Sequence, residues 1–209
     1  MLTVFAYSTP NSIKVPLALE EAGLAYDLRR INVRAGEQKA AEFQSLNANG
    51  KVPVLVDSEG LEGELVLTES AAILVYIAEK SGKLLPASGA ARARVFEQLF
   101  FHASALSPNF GNAGYFQKAA PEPIPHAIDR FLGEANRLVD LLDTTLSSRA
   151  FVAGDSLSIA DIAHWGWLWR AAFVGIDIGS RPNLSRWYAE LAARPAFVAA
   201  EAKVTALAA

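Results

Sequence analysis

The chain has 209 residues, 52% of them apolar, a formal net charge of -3 and no cysteine. That is enough for one large or two small domains, and the scattered Lys and Arg residues, densest at Arg29, Arg30 and Arg34, exclude the basic stripe of a nucleic-acid or membrane-surface binder. The missing cysteines exclude a disulfide framework, a thiolate metal site and a sulfur nucleophile of the protein's own.

The opening run Met-Leu-Thr-Val-Phe-Ala-Tyr lacks the length and basic residues of a signal peptide, and Leu2 to Tyr7 reads as a first strand. No apolar run is long enough to span a bilayer, so the cytoplasm is the expected compartment. Ser8-Thr9-Pro10-Asn11-Ser12 is a turn rich in capping side chains. A helix should follow through Ala22, with Gly23 in its left-handed C-terminal position. Pro16 removes an N–H about a turn into that helix, which predicts a late start or a slight bend. Tyr26 to Val33 reads as a second strand, and Arg34 to Asn49 as a loop with a weak helix around Lys39 to Gln44.

Val52-Pro53-Val54-Leu55-Val56 is β-branched and apolar, yet Pro53 cannot donate to a sheet ladder, so it must begin a strand or lie on an edge. The Val52 backbone is then available to something else. A short strand, Glu64 to Leu67, precedes Thr68-Glu69-Ser70, which opens a helix running from about Glu69 to Lys80 and closed by Gly82. Its first N–H groups have no partner within the helix and suit an anion. Together these features predict a small, peptide-like, carboxylate-bearing ligand. The order β-α-β-α-β-β-α over residues 1–82 is the plan of a thioredoxin-like domain. Residues 83–91, with Pro86, Ser88 and Gly89, read as a linker.

Residues 92–209 read as an all-helical bundle domain. Phe96, Leu99, Phe100, Ala103 and Leu106 are spaced as one helical face, and Ile128, Phe131, Ala135, Leu138 and Leu142 as another. Pro121, Pro123 and Pro125 break the chain between them. Ser158 and Asp161 form a capping-box pattern before a helix carrying Trp165, Trp167 and Trp169, apolar nearly all round and expected at the buried centre. Two short helices split by Pro195 finish the chain. His102, His126 and His164 lack metal-ligand spacing, so no metal is expected.

Four motifs fall in order along the chain: Thr9-Pro10-Asn11 before Leu19-Glu20-Glu21-Ala22-Gly23, Asn49-Gly50-Lys51-Val52-Pro53, Glu69-Ser70-Ala71-Ala72-Ile73 and Ser158-Ile159-Ala160-Asp161. In this the sequence resembles the cytosolic glutathione transferases over nearly its whole length. Thr9-Pro10-Asn11 and the run Ala127-Ile128-Asp129-Arg130-Phe131 look most like the bacterial nu class, which is associated with glutathione-dependent disulfide reduction.

The resemblance implies that Pro53 is a cis-proline leaving the Val52 main chain to pair with the cysteinyl unit of glutathione, where spacing alone favours a trans edge proline. It implies that Ser70 binds the γ-glutamyl carboxylate and Glu69 the ammonium group of the same unit, where the residues alone allow simple helix caps. Thr9 and Asn11 become the candidates for stabilising the sulfur as thiolate, with Tyr7 as an alternative activator and Ser8 and Ser12 as further hydroxyls. Gln38 is assigned to the far end of the tripeptide. Arg130 is assigned to a glutathione carboxylate in its own subunit or a neighbour's; the residues alone read as an exposed pair with Glu134. Phe101, Ser104, Asn112, Tyr115 and Phe116 are candidates for a second-substrate pocket.

The expected protein is thus a glutathione-dependent disulfide reductase, a homodimer that binds one glutathione, two, or the oxidised form, and takes a small disulfide as second substrate. Two alternatives stand beside it: a transferase conjugating glutathione to electrophiles, and a non-catalytic scaffold of the same fold.

Overall fold

The structure is a computed structural model and describes residues 1–60 and 62–208. The chain forms two compact units, Met1–Leu85 joined by the C-terminal segment from Ala193, and Pro86–Ala192.

The first unit has the expected thioredoxin-like plan. Strands β1 (Leu2–Ala6), β2 (Tyr26–Arg30), β3 (Val54–Gly60) and β4 (Gly63–Leu67) form one sheet in the order β2-β1-β3-β4. β1 pairs parallel to β2 and antiparallel to β3, and β3 pairs antiparallel to β4. Helices α1 (Lys14–Ala22) and α3 (Ser70–Ser81) pack against each other, and a short α2 (Ala41–Leu46) lies in the long loop. Gly23 and Gly82 close α1 and α3 at φ 73° and 67°, the left-handed conformation that glycine adopts without strain. Pro16 proves compatible because α1 starts late, at Lys14, which puts the proline in the first turn where its N–H would be unpaired anyway. The third strand starts at Val54, one residue after the proline that cannot enter the ladder.

Asp57 of β3 anchors this sheet to α3. Its side chain is 1% exposed and accepts from Tyr76 Oη at 2.6 Å, Lys80 Nζ at 2.8 Å and the Glu59 N–H at 3.0 Å. Burial alone would raise its pKa, but the donors outweigh it and hold the carboxyl at about 2. A carboxylate with a depressed folded pKa contributes stability above its unfolded value near 3.9 and loses it as pH falls toward the folded one. About 2 kcal/mol of stability should therefore disappear between roughly pH 4 and pH 2. Urea unfolding of wild type and Asp57→Asn over that range checks this: the variant starts less stable and should show a flatter decline.

The second unit holds α4 (Gly89–Phe101), a single π-helical turn at His102–Leu106, α5 (Ser107–Lys118), α6 (Pro125–Leu146), α7 (Ile159–Leu168), a short α8 (Ala171–Val174) and α9 (Pro182–Ala192). Every residue of α7 is buried, as its sequence predicts, and its start carries the Ser158–Asp161 capping box. The buried face of α6 is Ala135, Leu138, Val139, Leu142 and Leu146, close to the predicted stripe. On α4 the prediction needs correcting: Val95, Leu99, His102 and Leu106 face inward, whereas Phe100 is 64% exposed and Ala103 is exposed. The apolar spacing fits two phases of a helix, and packing selects the one that continues through the π turn.

The last helix, α10 (Pro195–Ala206), returns to pack on α1. Arg194 makes a two-pronged ion pair with Glu21, Lys203 pairs with Glu20, and Arg30 Nε donates to the Leu207 carbonyl. Phe197, Ala200 and Val204 supply the buried face of α10.

Candidate functional site

Within the first unit, the turn before α1, the loop entering β3 and the head of α3 enclose a cavity of about 300 Å³, at the small end of the range for ligand pockets. Asn11, Val52, Pro53, Glu69 and Ser70, all singled out from the sequence, line it together. Asn47, Asn49 and Lys51 complete the lining.

The loop is organised by Asn47, whose side chain donates to the Lys51 carbonyl at 2.7 Å and accepts from the Asn49 N–H at 3.0 Å. Gly50 is required here: its φ is 61°, and a Cβ would lie 3.1 Å from the Gln38 carbonyl oxygen. This presents the Val52–Pro53 peptide, which is cis. Val52 lies outside β3 and lines the cavity.

At the head of α3, Glu69 adopts φ 66° and ψ 111°, and it makes no side-chain cap bond. A bulky residue held in that region costs about 1–3 kcal/mol and occurs mostly at ligand and active sites. The plain helix-cap reading of Thr68, Glu69 and Ser70 thus lacks its hydrogen bond, and the positive end of α3 points at the cavity without a capping side chain.

The turn before α1 separates the two sulfur candidates. The Thr9 hydroxyl donates to Ser12 Oγ at 2.9 Å and accepts from the Ser12 N–H at 3.2 Å, so it closes the turn. Ser12 is fully buried, its Oγ also accepting from the Tyr7 N–H at 3.4 Å. Tyr7 is 4% exposed and lies under Arg30. Asn11 alone of this group reaches the cavity. Beneath it lies a residue that the sequence did not reveal: Lys14, 1% exposed, donates to Asn11 Oδ1 at 2.7 Å and to Ser70 Oγ at 3.4 Å. Burial lowers its pKa to about 7, against the attraction of Glu69, which raises it.

Gln38 and Arg130 are not among these lining residues. Gln38 precedes α2, and its buried Oε1 has no hydrogen-bond partner. Arg130 is on α6 of the second unit, where it lines a separate cavity of about 670 Å³ with His126, Asp129 and Glu134. The simple Arg130–Glu134 pair is not formed; Glu134 instead takes a two-pronged contact from Arg137. Among the second-substrate candidates, Phe116 stacks on Phe131, Ser104 donates back to the Phe100 carbonyl, and Tyr115 is 47% exposed. Among the described residues no cluster of His, Cys, Asp and Glu could hold a metal ion, and no helix is long and apolar enough to cross a membrane.

Family comparison fits this geometry. The family model for the glutathione S-transferase N-terminal domain matches residues 1–79, and that for the C-terminal domain matches residues 107–195. The chain belongs to the glutathione transferase family. This transferase-family chain is 37% identical over 198 residues to disulfide-bond oxidoreductase YfcG of Escherichia coli strain K12, covering 94% of the chain and 92% of that relative. Among solved structures, a Pseudomonas fluorescens Pf-5 family member with two glutathione bound matches with a TM-score of 0.90 and 35% identity, over 96% of this chain and 92% of that one. A Pseudomonas putida glutathione transferase with one glutathione disulfide bound per subunit matches with a TM-score of 0.89 and 34% identity, over 96% and 90% of the two chains.

Asn47, Asn49 and Lys51 were within reach of sequence reasoning, since Asn49 and Lys51 belong to the Asn49-Gly50-Lys51-Val52-Pro53 motif and Asn47 lies just before it. Lys14 offered only its position three residues after Asn11, and lysine is almost never fully buried.

Proposed function

We propose that the protein reduces small disulfides at the expense of glutathione. The observation that carries this reading is the shared cavity of Asn11, Val52, Glu69 and Ser70. The Val52 main chain suits the cysteinyl unit, Ser70 and the head of α3 suit the γ-glutamyl carboxylate, and Glu69 suits the ammonium group. Gln38 takes the far end of the tripeptide, and Arg130 supplies a positive charge to a glutathione carboxylate. Asn11, assisted by the turn that Thr9 closes, stabilises the thiolate.

The chain has no cysteine, so every sulfur in the reaction belongs to a ligand. A bound glutathione thiolate attacks the disulfide, giving a mixed disulfide and one free thiolate; a second glutathione then attacks the mixed disulfide at the first glutathione's sulfur. The products are oxidised glutathione and two thiols. Neighbours crystallised with two glutathione molecules or one glutathione disulfide, and a relative named a disulfide-bond oxidoreductase, support reduction over conjugation. The reading includes a homodimer in the cytoplasm, and the Thr9-Pro10-Asn11 and Ala127–Phe131 runs support kinship with the nu class.

Glutathione-dependent reduction of 2-hydroxyethyl disulfide, run beside conjugation to a chlorinated nitroaromatic, is the test. Catalysed reduction well above conjugation is expected. Reduction no faster than the uncatalysed exchange overturns the proposal. Glutathione at a hundred times its Kd should also stabilise the fold by about 2.7 kcal/mol, read as a higher melting temperature; no change at millimolar glutathione favours a scaffold.

A further inference from the structure

Lys14 is the first residue of α1, yet it is 1% exposed and ranks among the largest fully buried side chains. An ammonium group has three donors and no acceptor. Its contacts to Asn11 Oδ1 and Ser70 Oγ, at 2.7 and 3.4 Å, therefore fix which end of each partner faces which way. With Oδ1 accepting from Lys14, the other end of the Asn11 amide is its NH2 group, a donor. With its oxygen accepting from Lys14, the Ser70 hydroxyl has its own hydrogen to give. Both side chains line the cavity, one from the turn before α1 and the other from the head of α3.

We propose that Lys14 is a positioning residue for both ends of the glutathione site, setting Asn11 as a donor to the sulfur and Ser70 as a donor to the γ-glutamyl carboxylate, and that it does so only while charged. This rests on the glutathione reading above and adds a regulatory element to it. A neutral amine has a lone pair, can accept as well as donate, and no longer dictates either orientation. It also leaves the carboxylate without the positive charge beneath it. The charge whose attraction acts on Lys14 is that of Glu69 at the head of α3; its hydrogen-bond partners Asn11 and Ser70 are neutral. All three histidines, at positions 102, 126 and 164, lie in the second unit. Lys14, whose pKa burial lowers to about 7, titrates near neutral pH. The sign follows: an anion favours the charged lysine, so affinity is highest below pH 7 and falls as pH rises and the free site loses its proton.

The probe is S-methylglutathione, which has no thiol to titrate, measured by calorimetry between pH 6 and pH 8. In the wild-type protein Kd should rise about tenfold over that interval. In Lys14→Met, a side chain of similar length without charge, Kd at pH 6 should be about tenfold weaker and the pH dependence should vanish. The melting temperature should not fall, because an apolar side chain replaces a desolvated ammonium. With glutathione itself, thiolate absorbance near 240 nm should titrate at higher pH in the variant. Wild-type binding that is equally tight at both pH values overturns the inference and leaves the glutathione reading intact, and that arm needs no variant to fold. Equal affinity in wild type and Lys14→Met overturns it as well. Failure of the wild-type protein to bind S-methylglutathione at any pH overturns the glutathione reading first and this inference with it.

Discussion

Replacing Asp161 by alanine is expected to lower the unfolding free energy by about 4 kcal/mol, near the top of the range for single substitutions. Its carboxylate is fully buried and gathers four donors: the Val152 N–H at 2.9 Å, the Ser158 N–H at 3.0 Å, Ser158 Oγ at 2.8 Å and Trp187 Nε1 at 3.0 Å. Alanine removes the acceptor and leaves those donors facing an apolar interior, each at a cost of about 1–3 kcal/mol when no substitute is found. The values do not add, because the donors share one site. Urea denaturation measures the effect, with a midpoint lowered by roughly 2 M for a slope near 2 kcal/mol/M. Asp161→Asn keeps the shape and one acceptor oxygen and should lose about half as much. A loss under about 1 kcal/mol for alanine would mean that water enters and satisfies the donors.

The second large effect is chemical. Asn11→Ala should lower kcat/KM for glutathione-dependent disulfide reduction by about a hundredfold, the usual consequence of deleting one donor aimed at a developing or stabilised anion. Thr9→Ala should lower it less than tenfold, because the Thr9 hydroxyl is already engaged with Ser12 inside the turn. Steady-state kinetics on the two variants separates the roles. Equal losses would return Thr9 to the sulfur, and no loss in Asn11→Ala would leave the thiolate to the backbone of the turn.

The sequence carried these two sites unequally. Asp161 was visible in the spacing of Ser158 and Asp161 before an apolar run, a local pattern whose meaning does not depend on the rest of the chain. The β-α-β-α-β-β-α order was legible for the same reason, from alternation, breakers and glycine caps. What spacing could not give was phase and distance. Phe100 fitted a helical face as well as Val95 did, and only packing against the π turn chose between them. The grip of the cavity was legible as motifs, since Val52-Pro53 and Glu69-Ser70 break local rules where they stand. Lys14 broke no local rule. A lysine early in a helix reads as solvated, whereas here it is buried and donates to Ser70, 56 residues away. The return of α10 to α1 was hidden likewise, because Glu20 and Glu21 pair with Lys203 and Arg194 across nearly the whole sequence.

That return has a consequence for the order in which the protein is made. The helix that begins at Lys14, directly after the Asn11 turn, packs against α10, whose buried face is Phe197, Ala200 and Val204. On the ribosome, residues 1–85 emerge with every strand of their sheet yet without α10, and domains that fold as units during synthesis usually finish in N-to-C order. Here the first unit takes its last helix from a segment that follows the whole of the second unit, so its packing closes only after residues 86–192 have been made.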